Sequence, residues 1–329
     1  MTGERELGPT LVTGGAGFIG AAVARALGGR VITLDALTYA GDASRLDGVP
    51  DHRFVHGDVR DRELVASLLR EEGVRTILHL AAESHVDRSI AGPDAFLASN
   101  VVGTHELLEA ARRVWLGARA VDPSACRVVY VSTDEVYGDL DPAAPPARED
   151  DPLRPGSPYS ASKAAGEHLV FAWARTYGLP VAVTRGSNTY GAEQYPEKLL
   201  PVVIRAAVEG RAIPIYGDGR QVRDWLHVDD HAAGVIAAAR RGGLGRAYNL
   251  GADNPWANLD LVRVVCAELD ALRPGGAPHA RWITRVTDRP GHDRRYAIDP
   301  SRAARELDWR PRVPFDVGLR AVVAAIAGS

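Results

Sequence analysis

A chain of 329 residues with a formal net charge of −3 can bury one large core or two smaller ones. Its charge gives no case for nucleic acid or an acidic membrane surface as partner. Two cysteines, Cys126 and Cys266, stand far apart in apolar contexts, where two buried free thiols in a reducing cytosol fit better than one disulfide. Neither has the ligand spacing of a zinc site, and no metal is expected. No apolar run approaches a membrane span, and the polar stretch Met1–Gly8 is no signal peptide, so a soluble, cytoplasmic protein is expected.

Thr10-Leu11-Val12-Thr13 reads as a short strand, followed at once by Gly14-Gly15-Ala16-Gly17-Phe18-Ile19-Gly20. An alanine-rich helix from Ala21 to Leu27 and a second strand, Val31–Leu34, lead to Asp35. Strand, glycine turn, helix, strand and acid are the layout of a dinucleotide-binding unit. Gly14 makes the tight turn, Gly17 admits the pyrophosphate close to the backbone, and Gly20 lets helix pack on strand. The helix start at Phe18 and Ile19 offers free N–H groups and a positive dipole end. Asp35 is placed to accept from the adenosine ribose hydroxyls. Its charge repels a 2′-phosphate, and no Arg stands at Ala36 or Leu37, so NAD is favoured over NADP.

Arg53–His56 is the next strand and ends at Gly57-Asp58-Val59. Two readings of Asp58 stand there: acceptor for the adenine amino group, with Val59 beside it, or N-cap of a helix over Arg62–Arg70. The strand Thr76–Leu80 opens into a polar loop, Ala81–Ser89. Ala82 and Ser84 are its candidates for the cofactor, Ser84 also for the substrate, and its charged residues are by default loop ion pairs. A long helix is predicted over Pro93–Trp115, with Asn100 and Thr104 as buried polar groups that need partners. The plain reading of Asn100 is that it satisfies backbone. A surface connection at Leu116–Ala125 precedes a strand at Arg127–Ser132.

That strand delivers Ser132-Thr133-Asp134-Glu135-Val136-Tyr137-Gly138. Hydroxyls and two adjacent carboxyl groups then sit at the carboxyl edge of a parallel strand, where open sheets bind ligands. The long irregular stretch Asp139–Pro158 is expected to border the site. A helix over Tyr159–Tyr177 carries Tyr159 and Lys163 one turn apart, and Val181–Arg185 is strand again. The alternation defines an α/β fold, a Rossmann-type doubly wound parallel sheet covered on both faces.

From Gly186 the grain changes to turn-rich pieces between short helices. Arg223 and Arg289 are candidates for a diphosphate, since guanidinium pairs with phosphate in bidentate fashion, although any one Arg is surface by default. A helix over Trp225–Arg240 and a strand over Ala247–Leu250 return to the first sheet. A helix at Asn258–Leu272, a strand at Arg281–Thr284, a polar turn at Arg289–Asp293 and two terminal helices finish the chain. The expected division gives residues 1–187 plus about 225–250 to an NAD-binding domain. Residues 188–224 plus about 251–329 form a smaller, interleaved α/β domain for the substrate.

The glycine turn with Tyr159-x-x-x-Lys163 resembles the extended short-chain dehydrogenase/reductase superfamily. Ala82–Ser89, Ser132–Gly138, Pro196-Glu197-Lys198-Leu199, Arg223-Asp224-Trp225 and Arg289-Pro290-Gly291-His292-Asp293 sharpen this to a resemblance to the dTDP-glucose 4,6-dehydratases over nearly the whole chain. The Asp–Glu pair after Thr133 is the most specific element, because related epimerases and decarboxylases carry other residues there. The resemblance implies an NAD-dependent hydro-lyase of deoxysugar biosynthesis. It would turn dTDP-glucose into dTDP-4-keto-6-deoxyglucose by C4 oxidation, loss of water across C5 and C6, and hydride return to C6.

By the same resemblance Tyr159 takes the C4 hydroxyl proton and Thr133 bonds the C4 oxygen. Lys163 holds the nicotinamide ribose and, with the positive nicotinamide ring, favours the phenolate; Glu135 is the base at C5 and Asp134 the acid at C6. For that role the Tyr159 pKa must fall from about 10 to about 7, worth ~4 kcal/mol. Asn188, Lys198, Leu199, Pro214, Tyr216, Arg223, Asn258, Arg289 and His292 would hold the dTDP moiety. A homodimer through the helices Pro93–Trp115 and Tyr159–Tyr177 is implied as well. The chain departs from the family at Thr189 and Ala192, where Asn and Pro are usual; this touches positioning near the sugar or nicotinamide and not the reaction class. A sugar-nucleotide epimerase or decarboxylase needs the Tyr and Lys but has no use for the acid–base pair. A non-catalytic NAD or sugar-nucleotide sensor predicts a broken Tyr or Lys, and both are intact.

Overall fold

In the computed structural model, which describes residues 4–117 and 122–328, the β-branched runs become buried strands. In chain order they are β1 (Thr10–Thr13), β2 (Val31–Asp35), β3 (His52–His56), β4 (Thr76–His79), β5 (Arg127–Thr133) and β6 (Val181–Gly186). There follow β7 (Asn188–Tyr190), β8 (Ile213–Tyr216), β9 (Val222–His227), β10 (Arg246–Leu250), β11 (Pro255–Ala257) and β12 (Ile283–Val286). Seven strands make one parallel sheet in the order β10-β6-β5-β4-β1-β2-β3. Every residue of β5 is buried, as a sheet covered on both faces requires.

The helices Phe18–Ala26 and Val228–Arg241 share a core on one face, built from Ala21, Val23, Val235 and Ile236 with Val12 and Val129. On the other face, Leu68, Leu107, Leu108 and Val170 come from three further helices and pack on Ile77 and Val128. The fold is the doubly wound Rossmann-type sheet. After β3 the chain crosses back to β4 on the far side of β1. Helices therefore diverge at the carboxyl ends of β1 and β4, which opens the crevice where such sheets bind ligands.

The second half adds a three-stranded sheet, β11-β9-β7, and a parallel pair, β12-β8. Leu200, Ile204, Val262, Val265, Leu319 and Val322 bind their helices into one further core. Here several local boundaries differ from those expected. Trp225 does not open a helix: Val222–His227 is a strand paired to β7 and β11, and the helix begins at Val228. The strand expected at Arg281–Thr284 is displaced to Ile283–Val286, where it pairs with β8.

Within the expected loop Ala81–Ser89, Val86–Ala91 is a short helix, because His85 caps the Arg88 N–H and Ser89 bonds back to the Val86 carbonyl. The long helix is continuous over 94–117, with wider π-type turns at Leu97–Gly103 and Arg112–Gly117. Of the connection expected at Leu116–Ala125, positions 118–121 lie outside the described residues. Asp139–Pro158 is irregular as expected, but none of residues 139–158 lines the main cavity. Buried Glu149 draws the stretch toward Asn249, whose N–H it accepts at 3.0 Å, and toward Arg302. Cys126 and Cys266 are buried and unbridged.

Candidate active site

A cavity of about 520 Å³ runs along the carboxyl ends of the large sheet's strands. Its first wall is the turn after β1. Gly14 has φ +70° and donates its N–H to the Leu34 carbonyl at 2.8 Å. A Cβ on Gly20 would lie 2.0 Å from the Gly14 carbonyl oxygen, so only glycine lets this helix start meet the turn. Gly17 caps the helix Phe18–Ala26 without a side-chain hydrogen bond, leaving its first N–H groups to a ligand.

Gly14, Gly17, Phe18, Ile19 and Gly20 all line the cavity, as do Asp35, Asp58 and Val59. Asp35 accepts backbone N–H groups from Ala16 at 2.9 Å and Leu37 at 2.8 Å, one on each carboxylate oxygen. That holds its carboxylate rigidly at the end of β2, with lone pairs to spare. Of the two readings of Asp58, the cap fails: Asp61 caps the helix Arg62–Glu71, accepting from Leu64 N at 3.0 Å. Asp58 instead holds Arg60 at the cavity wall. Asn100 proves structural: it accepts from Glu83 N at 2.9 Å and donates to Glu83 O at 3.0 Å and to Ser162 at 2.8 Å. It thereby pins the loop that brings Ala82 and Ser84 into the cavity.

The second wall is the end of β5. Thr133 caps a single 3₁₀ turn, Asp134–Tyr137, by accepting from Glu135 N at 3.3 Å. The turn aims both carboxyl groups into the cavity lined also by Tyr159 and Lys163. Asp134 is 2% exposed. Its Oδ1 accepts from the Thr133 hydroxyl at 3.2 Å, and Oδ2 has no partner in the protein. Burial raises the Asp134 pKa well above the usual carboxyl value, and the charges of Glu135 and Asp224 add to that. Burial also raises Glu135, but Arg223, Lys198 and Arg289 oppose the rise while Asp293 supports it.

Tyr159 sits in the first turn of the helix Pro158–Tyr177, which a reciprocal cap holds: Ser157 accepts from Ser160 N at 3.1 Å and Ser160 accepts from Ser157 N at 3.0 Å. Lys163 donates to the Val131 carbonyl at 2.8 Å and lies 4.2 Å above the Tyr130 ring. The protein's own groups do not deliver the phenolate expected at Tyr159. Burial and the nearby Glu135 push its pKa up, and the Thr133 hydroxyl only partly counters them. Lys163 is itself pushed down to about 7 by burial, because its ammonium has exchanged water for one carbonyl and a ring face.

Asn188 and Lys198 also line the cavity; Lys198 donates to the Ser84 carbonyl at 3.0 Å. The other candidates for the sugar nucleotide gather beyond it. Leu199 opens the helix Leu199–Val208, Pro214 and Tyr216 lie on β8, and Asn258 opens the helix Asn258–Leu272 with its Oδ1 buried and unpaired. The Arg289 guanidinium stands 4.8 Å from the Tyr216 ring and pairs with Asp87 at 3.2 Å, and His292 packs edge-on to Tyr216 at 6.3 Å. Arg223 lies 4.1 Å over the Tyr296 ring and donates to the Asp293 carbonyl at 2.9 Å.

Some wall residues carried no signal in the sequence. Tyr39 is covered by the Arg88 guanidinium at 3.8 Å, and Arg88 pairs with Glu197 at 2.9 Å. Ser187 and His231 line the cavity behind β6. Asp224 was visible within Arg223-Asp224-Trp225 but is structural, accepting from Ala252 N at 2.8 Å and Asn254 N at 2.7 Å.

A glycine turn that admits no Cβ, an acid at the end of β2 and a Tyr–Lys pair beside β5 together fit a dinucleotide. They define the class of the short-chain dehydrogenases and reductases. The family model described as GDP-mannose 4,6 dehydratase matches residues 11–322. The dTDP-glucose 4,6-dehydratase of Shigella flexneri is 47% identical over 328 residues, covering 95% of this chain and 91% of that one. That of Xanthomonas campestris is 50% identical over 323 residues with the same shares. The structure of DesIV, a dTDP-glucose 4,6-dehydratase from Streptomyces venezuelae with NAD and dTDP bound, superposes with a TM-score of 0.87 at 44% identity over 96% of each chain. The chain belongs to the dTDP-glucose 4,6-dehydratase family.

Proposed function

We propose that the protein is an NAD-dependent hydro-lyase that converts dTDP-glucose to dTDP-4-keto-6-deoxyglucose. The observation that carries this reading is the buried pair Asp134 and Glu135 in the same cavity as Tyr159 and Lys163. Redox at C4 alone has no use for two further carboxyl groups.

The glycine turn, Asp35 and Asp58 with Val59, Ala82 and Ser84 bind and orient the dinucleotide, and Lys163 holds its second ribose. NAD, when bound, supplies the two-electron acceptor that oxidises C4 and later reduces C6, together with a positively charged ring. Tyr159 takes the C4 hydroxyl proton, and Thr133 bonds the C4 oxygen. A ketone at C4 makes the C5–H acidic, because the carbanion delocalises into an enolate. Glu135, whose burial-driven rise in pKa is opposed by the charges of Arg223, Lys198 and Arg289, removes that proton. Asp134, kept protonated by burial and by Glu135, protonates the departing C6 hydroxyl. Environments that push two carboxyl pKa values apart assign acid and base in this way. Glu135 then returns its proton to C5. One turnover leaves the C4 proton on Tyr159 and Asp134 one proton short, so a proton passes between them before the next.

Lys198, Arg223 and Arg289 supply positive charge for the diphosphate. Asn188, Leu199, Pro214, Tyr216, Asn258 and His292 surround the rest of dTDP. On this reading residues 1–187 with the segment that returns to the large sheet bind NAD, and the remainder binds the sugar nucleotide. The assembly is a homodimer. Leu97 and Val102, 52% and 48% exposed on the helix over 94–117, and Tyr177 at the end of Pro158–Tyr177 support that contact, which sedimentation equilibrium reads as twice the chain mass. A cytoplasmic setting is supported by the two unbridged cysteines; among the described residues no helix is long and apolar enough to cross a membrane.

The test is incubation with dTDP-glucose and NAD, with the product read by NMR. A 4-keto-6-deoxy sugar is expected. A C4 epimer with its C6 hydroxyl intact would overturn the dehydratase reading in favour of an epimerase.

A further inference from the structure

Behind the end of β6, two buried polar atoms at the cavity wall have no partner in the protein: Ser187 Oγ and His231 Nε2. They are neighbours. Ser187 follows Gly186, and a Cβ on Gly186 would lie 2.6 Å from His231 Nε2. Such orphans are costly unless a ligand answers them.

The tautomer of His231 follows from its other nitrogen. The Thr189 hydroxyl donates to the Ser187 carbonyl at 3.1 Å, so its oxygen accepts from His231 Nδ1–H at 2.7 Å. Nε2 then carries a lone pair. Burial holds the imidazole pKa down to about 4, consistent with a neutral ring.

Asp35 and Asp58 fix the adenosine end of a dinucleotide at β2 and β3. The nicotinamide end therefore reaches the opposite half of the sheet, at β5 and β6. The hydrogen-bonding group of that ring is its carboxamide, with an N–H donor and a carbonyl acceptor. The lone pair of His231 Nε2 and the Ser187 hydroxyl, both at the cavity wall, complement it. We propose that His231 is a positioning residue for the cofactor. Its Nε2 accepts from the nicotinamide carboxamide N–H, while the Ser187 hydroxyl donates to the carboxamide oxygen. Thr189 acts through His231 by fixing its tautomer.

The inference rests on the NAD reading above, and calorimetry separates the two. The full-length protein is titrated with NAD and with 3-acetylpyridine adenine dinucleotide, whose methyl ketone keeps the carbonyl and removes the N–H. The wild type prefers NAD by about tenfold, the size of one hydrogen bond. His231→Asn keeps a partner for Thr189 and withdraws the acceptor, and the preference falls to about one. His231→Gln brings an amide oxygen to the place of Nε2 and retains most of it. A wild type without preference, or a preference unchanged in His231→Asn, overturns the assignment; the wild-type comparison decides even where a variant fails to fold. No binding of NAD to the wild type at all would sink the NAD reading instead.

Discussion

Asp134 and Glu135 are adjacent in sequence yet meet different fields. Asp134 faces Glu135 and Asp224 and stays protonated, whereas Glu135 faces Arg223, Lys198 and Arg289. The proposed division of acid and base thus depends on residues up to 154 positions away in the chain as well as on the pair itself. Glu135→Gln keeps the shape and removes the base. Its turnover of dTDP-glucose should fall by about 10²–10⁴, the usual worth of a positioned general base. Deuterium from solvent should no longer enter C5 of recovered sugar. Exchange at the wild-type rate in this variant would assign the base to another group.

At the scale of elements, local spacing made the first half legible. Thr10–Asp35 announces strand, glycine turn, helix and acid because each step is decided within a few residues. Trp225 misled because β9 owes its existence to β7 and β11, which are distant in sequence. Apart from the family resemblance, nothing told Arg223 and Arg289 from surface arginines until the fold brought both toward Glu135. His231 gave no signal at all, since its proposed role depends on the end of β6, a strand it does not belong to. The cap of Pro158–Tyr177 is an element-scale device with a consequence for the site, because Tyr159 lies in the turn it holds. Ser157→Ala removes the acceptor for Ser160 N and should cost about 1 kcal/mol of stability. Fraying of that turn should also lower kcat more than it raises KM for dTDP-glucose. Urea unfolding and steady-state kinetics check the two effects, and an unchanged unfolding midpoint would show that the cap bears no strain on folding.

For the molecule as a whole, the sheet has been closed around histidines that cannot take up a proton. His79 is 1% exposed between the Thr13 hydroxyl at 2.7 Å and the Thr104 hydroxyl at 3.1 Å, and Thr104 donates onward to the Asn100 carbonyl at 2.6 Å. Burial, with the charge of Lys163 second, lowers its pKa from 6.5 to about 3. Above pH 6.5 both folded and unfolded chains carry it neutral, and it contributes no pH dependence. As pH falls through 6.5 the unfolded chain binds a proton that the folded one refuses, so stability is lost until the folded pKa is reached. The raised carboxyls Asp134 and Glu135 work in the opposite sense, since the folded state binds their protons first. A comparison with His79→Gln cancels those shared terms and isolates the histidine. The variant should be less stable than wild type at neutral pH, for lack of the two-sided hydrogen bonding. On acidification to about pH 4.5 that gap should narrow by roughly 2–3 kcal/mol, because only the wild type pays for a buried neutral imidazole. Urea midpoints at the two pH values measure it, and parallel losses in both proteins would place the acid sensitivity elsewhere in the fold.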